Sequence, residues 1–344
     1  MNTYILYKIK NILKYAFFSV ILFFLIIQFI VAKSDFNFFQ LSFAFLYGLT
    51  VGIIFESTSS VKFYKLTFIS RTIIRATLLV FSIILIFIAI LKLLSPEQWD
   101  NLHSLSDLFQ SQRFQNSVVS ILVLTFFIVL SIQLEKHLGN GFIFNFLFSK
   151  YEKPIEETRV VMFLDLKDST TIAEKIGHLR FVEFINRTYK IMSKSVIKNN
   201  AEILKYVGDE VILTWTRRNG MRNNNPVNFY FDFKKDLESF YDDFYAEYGV
   251  KPVFKAGLNK GIVTASFIGH LKKQMDYSGD TMNTTARIQA LCNSFDANLL
   301  ISKNYAEELG LFSNKKYKLT DLGDTHLKGK ERKVPIVKVE LSHN

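Results

Sequence analysis

Two aspartates stand 44 positions apart, Asp165 in VVMFLDLKDST and Asp209 in LKYVGDEVILTW, each where an apolar run ends or turns. Carboxylates brought together repel one another and invite neutralisation by cations. Hard oxygen ligands held on strands suit Mg2+ or Mn2+ bridging substrate phosphates. Two such ions, about 3.5–4 Å apart, can activate an attacking oxygen and stabilise a leaving one. Asn283 and Arg287 lie one helical turn apart in GDTMNTTARIQAL, a pair suited to a phosphate in transition, for which arginine offers a planar fork of donors. Lys205 precedes Asp209 by four residues and Asp276 precedes Asn283 by seven. A carboxylate that accepts from an exocyclic amine and an ammonium that donates to a ring nitrogen together read adenine. Guanine, with a carbonyl and a ring N–H at those places, mismatches them.

The elements that must position these groups lie in the second half of the chain. Arg159–Leu166 is a continuous apolar strand candidate, and from Thr170 to about Lys198 apolar residues recur at helical spacing. Ala201–Val207 and Val211–Thr216 are β-rich runs joined by Gly208-Asp209, a hairpin signal that displays Asp209 at its tip. Arg217–Asn225 reads as a polar loop and Phe229–Tyr248 as a helix; Val253–Asn259 and Gly261–Gly269 read as separate strands. Gly279–Cys292 holds a turn and a helix, followed by a strand near Asn298–Ser302, a helix near Asn304–Leu309 and closing strands through Val334–Leu341. The order β-α-β-β-α-β is that of a ferredoxin-like α/β sandwich.

The first half is of another kind. Four apolar stretches, Tyr15–Ala32, Phe36–Phe55, Ile73–Leu94 and Ser117–Leu134, have the length of about 20 residues that a bilayer span needs. They predict an α-helical membrane domain over 1–134, a connecting segment over 135–158 and a catalytic domain over 159–344. Lys8, Lys10 and Lys14 precede the first span, and Lys62, Lys65, Arg71 and Arg75 follow the second. The other links carry fewer basic residues, which places the N-terminus and the catalytic domain on the cytoplasmic side of a cell's inner membrane. Gln28, Asn37 and Gln40 read as helix–helix hydrogen-bonding or interfacial groups. The segment GFIFNFLFSKY is aromatic enough to lie in the membrane interface.

The net charge of +11 divides as +6 before Tyr151 and +5 from it onward, without the dense basic block of a nucleic-acid tail. A single cysteine, Cys292, excludes a disulfide framework and reads as a small core residue.

FLDLKDST, LKYVGDE and YSGDTMNTTARIQ, at their intervals, resemble the class III nucleotide cyclase catalytic domain, from about Glu157 to the end of the chain. The resemblance implies that Asp165 and Asp209 bind the two metals and that Lys205 and Asp276 select adenine, a Glu/Cys-type pair being the guanylyl counterpart. It also implies that Asn283 orients the ribose, that Arg287 stabilises the transferring phosphate, and that Lys328 or Lys330 contacts the triphosphate. The implied reaction converts ATP to 3′,5′-cyclic AMP and pyrophosphate, with Asp165 or water as proton acceptor. Each site would take its metals from one chain and its purine and phosphate readers from a second, so the chain is expected to act as a head-to-tail homodimer, aided by parallel packing of the spans. The rival expectations are a guanylate cyclase and a catalytically silent membrane receptor or dimerisation protein. Ser266 replaces a common glycine and Asn259 a frequent histidine of the family, both outside these roles.

Overall fold

The computed structural model describes residues 3–30, 38–58, scattered positions between 70 and 130, and 150–342 apart from 272 and 328–332. The chain divides into two compact units, Met1–Gly139 and Asn140–Asn344.

In the first unit, helices α1 (Thr3–Ile30) and α2 (Phe38–Thr58) pack together. Gly48 and Gly52 of α2 have no side chain because Ile12, Ala16 and Ser19 of α1 fill the space a Cβ would need. The Ser19 hydroxyl lies within hydrogen-bonding distance of the carbonyls of Ala16 and Ala44, 2.7 and 2.6 Å away. Among the described residues no helix is long and apolar enough to cross a membrane, so the four expected spans find no support there. The side chains described in α1 include Lys8, Lys10 and Lys14, and those of α2 begin only at Ala44. Most of the third and fourth expected spans lies outside the described residues, as do the side chains of Gln28, Asn37 and Gln40.

The second unit is built on β1 (Ile155–Leu166), whose run of apolar residues reflects burial on both faces. Val160, Met162 and Leu164 meet Phe184, Met192, Phe229 and Phe233 on one face, while Val161 and Phe163 meet Ile212, Val263, Tyr277 and Met282 on the other. After β1 come α3 (Ser169–Ile176), α4 (His178–Lys198), β2 (Glu202–Val207) and β3 (Glu210–Thr216). Next are α5 (Arg217–Met221), α6 (Asn225–Glu238), α7 (Tyr241–Tyr248), β4 (Phe254–Ile268) and β5 (Gln274–Ser278). The chain closes with α8 (Asp280–Ala290), β6 (Leu299–Ser302), α9 (Lys303–Glu308), β7 (Tyr317–Thr325) and β8 (Val334–Leu341). The strands run β2-β3-β1-β4-β6-β8-β7, with β5 paired to β4. The first four, with the intervening helices, supply the expected β-α-β-β-α-β order in a mixed sheet.

Several boundaries differ from those expected. β1 begins at Ile155, and the Phe267 amide donates to the Tyr151 carbonyl at 3.1 Å. The end of the expected connecting segment therefore belongs to the folded unit. One long helix after β1 becomes two because Gly177 takes φ +84°. The expected loop over Arg217–Asn225 holds the short helix α5, capped by the Thr216 hydroxyl accepting from the Asn219 amide at 3.2 Å. The strands expected on either side of Lys260 are the single strand β4, because β1 pairs with it continuously from Phe254 to Ala265. The helix expected over Phe229–Tyr248 is split into α6 and α7.

Candidate active site

Strand register places three charged residues in one cross-strand row. Asp165 near the end of β1 stands opposite Glu210 of β3 on one side and Lys255 of β4 on the other. Asp209 sits in the β2–β3 turn, where Gly208 adopts φ +64°, a conformation glycine takes without strain. The Tyr189 hydroxyl steadies this turn by donating to the Gly208 carbonyl at 3.0 Å, and its ring lies 4.7 Å from that of Tyr206.

Asp209 adjoins Glu210, which stands opposite Asp165 across the β1–β3 pair, and its charge acts on the Asp165 carboxyl. Burial pushes the Asp165 carboxyl above its ordinary range; the Lys255 ammonium, 3.2 Å from its Oδ2, pulls it down, and Asp209 pushes it further up. Burial, Asp165 and Asp209 together push Glu210 up to about 7. The cost of gathering negative charge here fits a divalent cation held by the two hard oxygen donors Asp165 and Asp209. Among the described residues no three His, Cys, Asp or Glu side chains are grouped to hold a metal. Two protein carboxylates, with phosphate oxygens and water completing the shell, is a common way for Mg2+ to bind.

Lys205 and Asp276, 71 positions apart, form an ion pair with Nζ 2.8 Å from Oδ1. Their strands are not neighbours in the sheet, but Met275 and Tyr277 of β5 pack with Val161, Phe163 and Ile212, so the β4–β5 arm folds over that face. Arg159 lies with its guanidinium 5.1 Å from the Tyr277 ring centre and is held by Glu157 and Glu202 at 2.8 and 2.7 Å.

Asn283 and Arg287 are on α8, Asn283 exposed and Arg287 half-buried, and neither side chain bonds to another described residue. The opposite side of α8 presses on β4. A Cβ at Gly257 would lie 2.4 Å from the Gln289 amide nitrogen, and one at Gly261 would lie 2.3 Å from the Thr281 hydroxyl. Gln289, only 6% exposed, donates from Nε2 to Asp165 Oδ2 at 3.0 Å. Arg287 lies about 200° round the helix from Gln289 and Asn283 about 120°. In one chain, therefore, the side of α8 that bears Asn283 and Arg287 is turned away from the side that touches Asp165.

The structure thus brings Asp165 to Asp209 and Lys205 to Asp276, and leaves Asn283 and Arg287 on another face. Lys328 and Lys330 lie outside the described residues. Glu210, Lys255 and Gln289 were not singled out from the sequence; only Glu210, beside Asp209 in the GDE turn, carried a local signal.

A family model for the adenylate and guanylate cyclase catalytic domain matches residues 151–338. The chain belongs to this family. Adenylate cyclase 2 of Rhizobium meliloti (strain 1021) is 31% identical over 212 residues, 61% of this chain and 57% of that protein. An adenylate cyclase of Anabaena cylindrica is 21% identical over 185 residues, 52% of this chain and 36% of that one. The chain therefore spans little more than half the length of the first relative and less of the second. A bacterial light-regulated adenylyl cyclase has the same fold, with a TM-score of 0.54, 19% identity and 67% of each chain covered.

The raised carboxyls of this cyclase domain give a stability prediction. Glu210 holds its proton more tightly in the folded state, at about 7, than its ordinary value of 4.5. Its contribution is most favourable below the unfolded value and is lost as pH rises through about 7. The chelator-treated protein should melt at progressively lower temperature from about pH 5.5 to about pH 8, and saturating Mn2+ should reverse most of the loss. A melting temperature flat in pH, or insensitive to Mn2+, would contradict this reading of the site.

Proposed function

We propose that the chain is an adenylate cyclase, converting ATP to 3′,5′-cyclic AMP and pyrophosphate in a homodimer with shared sites. The observation that carries the reading is the Lys205–Asp276 contact. It joins the one donor and one acceptor that suit an adenine edge, in a domain that also gathers Asp165 and Asp209. The Asp276 contact uses Oδ1, leaving Oδ2 to accept from the exocyclic amine, while the lysine ammonium has further protons to donate to a ring nitrogen.

When bound, divalent cations at Asp165 and Asp209 would lower the pKa of the ribose 3′-hydroxyl and neutralise triphosphate charge. Asn283 orients the ribose so that this oxygen lies in line with the α-phosphorus. Arg287 offers two parallel N–H donors to charge that accumulates on the α-phosphate. Lys328 or Lys330 holds the triphosphate, and Asp165 or water takes the proton. Positioning and electrostatics supply most of the rate, as in phosphoryl transfer generally. The outward side of α8 supports the shared site: Asn283 and Arg287 are presented to a partner chain, whose own Asp165 and Asp209 they complete.

The same reading attaches the first unit to a cell's inner membrane, with the N-terminus and cyclase domain on the cytoplasmic side. Its support is that α1 and α2 bury Ser19 and the two glycines between them while exposing Phe17, Ile21, Leu46 and Ile53. Small and hydroxyl groups inside with apolar side chains outside is the arrangement lipid favours.

One experiment tests both parts. Membrane and soluble fractions from cells expressing the full chain are given Mn2+ with ATP or GTP, and cyclic product is measured. Cyclic AMP formation that sediments with membranes and resists alkaline carbonate is expected. Product from GTP in preference to ATP would overturn the purine assignment, no cyclic product from dimeric protein would leave the silent-receptor reading, and wholly soluble activity would contradict membrane attachment.

A further inference from the structure

Asp165 is tied to α8 by two routes. Gln289 Nε2 donates to Asp165 Oδ2 at 3.0 Å. Lys255 Nζ lies 3.2 Å from the same oxygen and 3.5 Å from Asn293 Oδ1, three residues beyond the end of α8. Both bonds fall on one carboxylate oxygen, which fixes the plane of the group. The tether is rigid at its helix end, because Gly257 lets the Gln289 backbone lie directly on β4 and the Gln289 side chain is buried. The Lys255 ammonium, 13% exposed, also supplies a positive charge to a carboxylate that burial and Asp209 disfavour in its ionised form.

We infer that Gln289, seconded by Lys255, is a positioning residue that couples the two composite sites of the dimer. The inference rests on the shared-site reading above. In one chain, α8 carries Asn283 and Arg287 into one site on one side and, through Gln289, orients Asp165 of the other site on its opposite side. A shift of α8 when Arg287 engages phosphate in one site is thereby passed to the metal-binding carboxylate of the other. Conversely, cation binding at Asp165 sets the position from which Arg287 reaches out.

The test uses Gln289→Met, which keeps the length and loses the amide. Loss of a partner that orients a metal-binding group costs about 10–100-fold in metal affinity. The free-ion EPR signal of Mn2+, titrated with the full-length variant without nucleotide, should therefore show binding weakened about 10-fold. Unchanged affinity in a folded variant, judged by its circular dichroism, would overturn the positioning role.

Coupling is read in mixed dimers of Asp209→Ala chains with Arg287→Ala chains. Their single working site takes its metal carboxylates from the Arg287→Ala chain and Arg287 from the Asp209→Ala chain. Gln289→Met placed only in the Asp209→Ala chain should lower kcat several-fold with the Mn2+ dependence unchanged. An unaltered kcat there would overturn the coupling. If the mixed dimers lack activity before Gln289 is changed, the shared-site reading has failed instead, and the EPR titration still decides the role of Gln289.

Discussion

Replacing Arg287 with alanine is expected to lower kcat about 10²–10³-fold, the usual cost of removing one group aimed at developing charge. The reason lies in its placement. Arg287 is half-buried on the side of α8 away from Asp165 and bonds to no other described residue, so its removal leaves no unsatisfied partner among the described residues. Folding should be little affected, and the melting temperature of the variant should stay within a degree or two of the parent. KM for ATP should change far less than kcat, because the contact strengthens as charge accumulates at the α-phosphate. Arg287→Lys should recover only part of the loss, since an ammonium is a point charge without the planar fork. Steady-state kinetics with Mn2+ and ATP check this. A kcat within a few-fold of the parent would remove Arg287 from the reaction.

Exchanging Lys205 and Asp276, the proposed purine readers, should have a comparable or larger effect, directed at specificity. With Lys205→Glu and Asp276→Cys together, kcat/KM for ATP should fall about 10³-fold or more, because a site built to hydrogen-bond one edge strongly rejects another. Activity with GTP should rise at the same time, a glutamate being able to accept from the guanine ring N–H and amine. The double change is needed because the two parent residues hold each other at 2.8 Å. Altering one alone leaves the other charge partly buried and unpaired, which costs stability as well as selectivity. Kinetics with both nucleotides on the double variant check this; undiminished preference for ATP would show that Lys205 and Asp276 serve only as a structural ion pair.

How far such a site can be read from sequence depends on whether its geometry is local. Asp209 was legible because a Gly-Asp pair between two β-rich runs dictates a turn, and Asp165 because it ends an apolar run buried on both faces. Asn283 and Arg287 were legible as a pair because four residues make one helical turn. Glu210, Lys255 and Gln289 depend instead on strand register and on the close approach of α8 to β4 at Gly257. No local pattern states which residues of distant strands stand opposite each other. The same limit explains the errors in the fold. Gly261 looked like a strand boundary, yet β4 runs through it because its missing side chain makes room for Thr281. The Asn- and Arg-rich stretch after β3 looked like a loop, yet Gly220 packs against Val160 and its carbonyl accepts from the Tyr305 hydroxyl at 2.8 Å, anchoring the short helix α5.

In the proposed homodimer each active site is made by two copies of the chain. Chains carrying Asp165→Ala and chains carrying Arg287→Ala should each be nearly inactive alone. Co-expressed in equal amounts, they should form dimers of which about half are mixed, each with one of two sites intact. Cyclic AMP formation should then return to about one quarter of the parent rate per chain. Recovery of that order is expected, whereas mixed dimers as inactive as either variant alone would rule out a shared site.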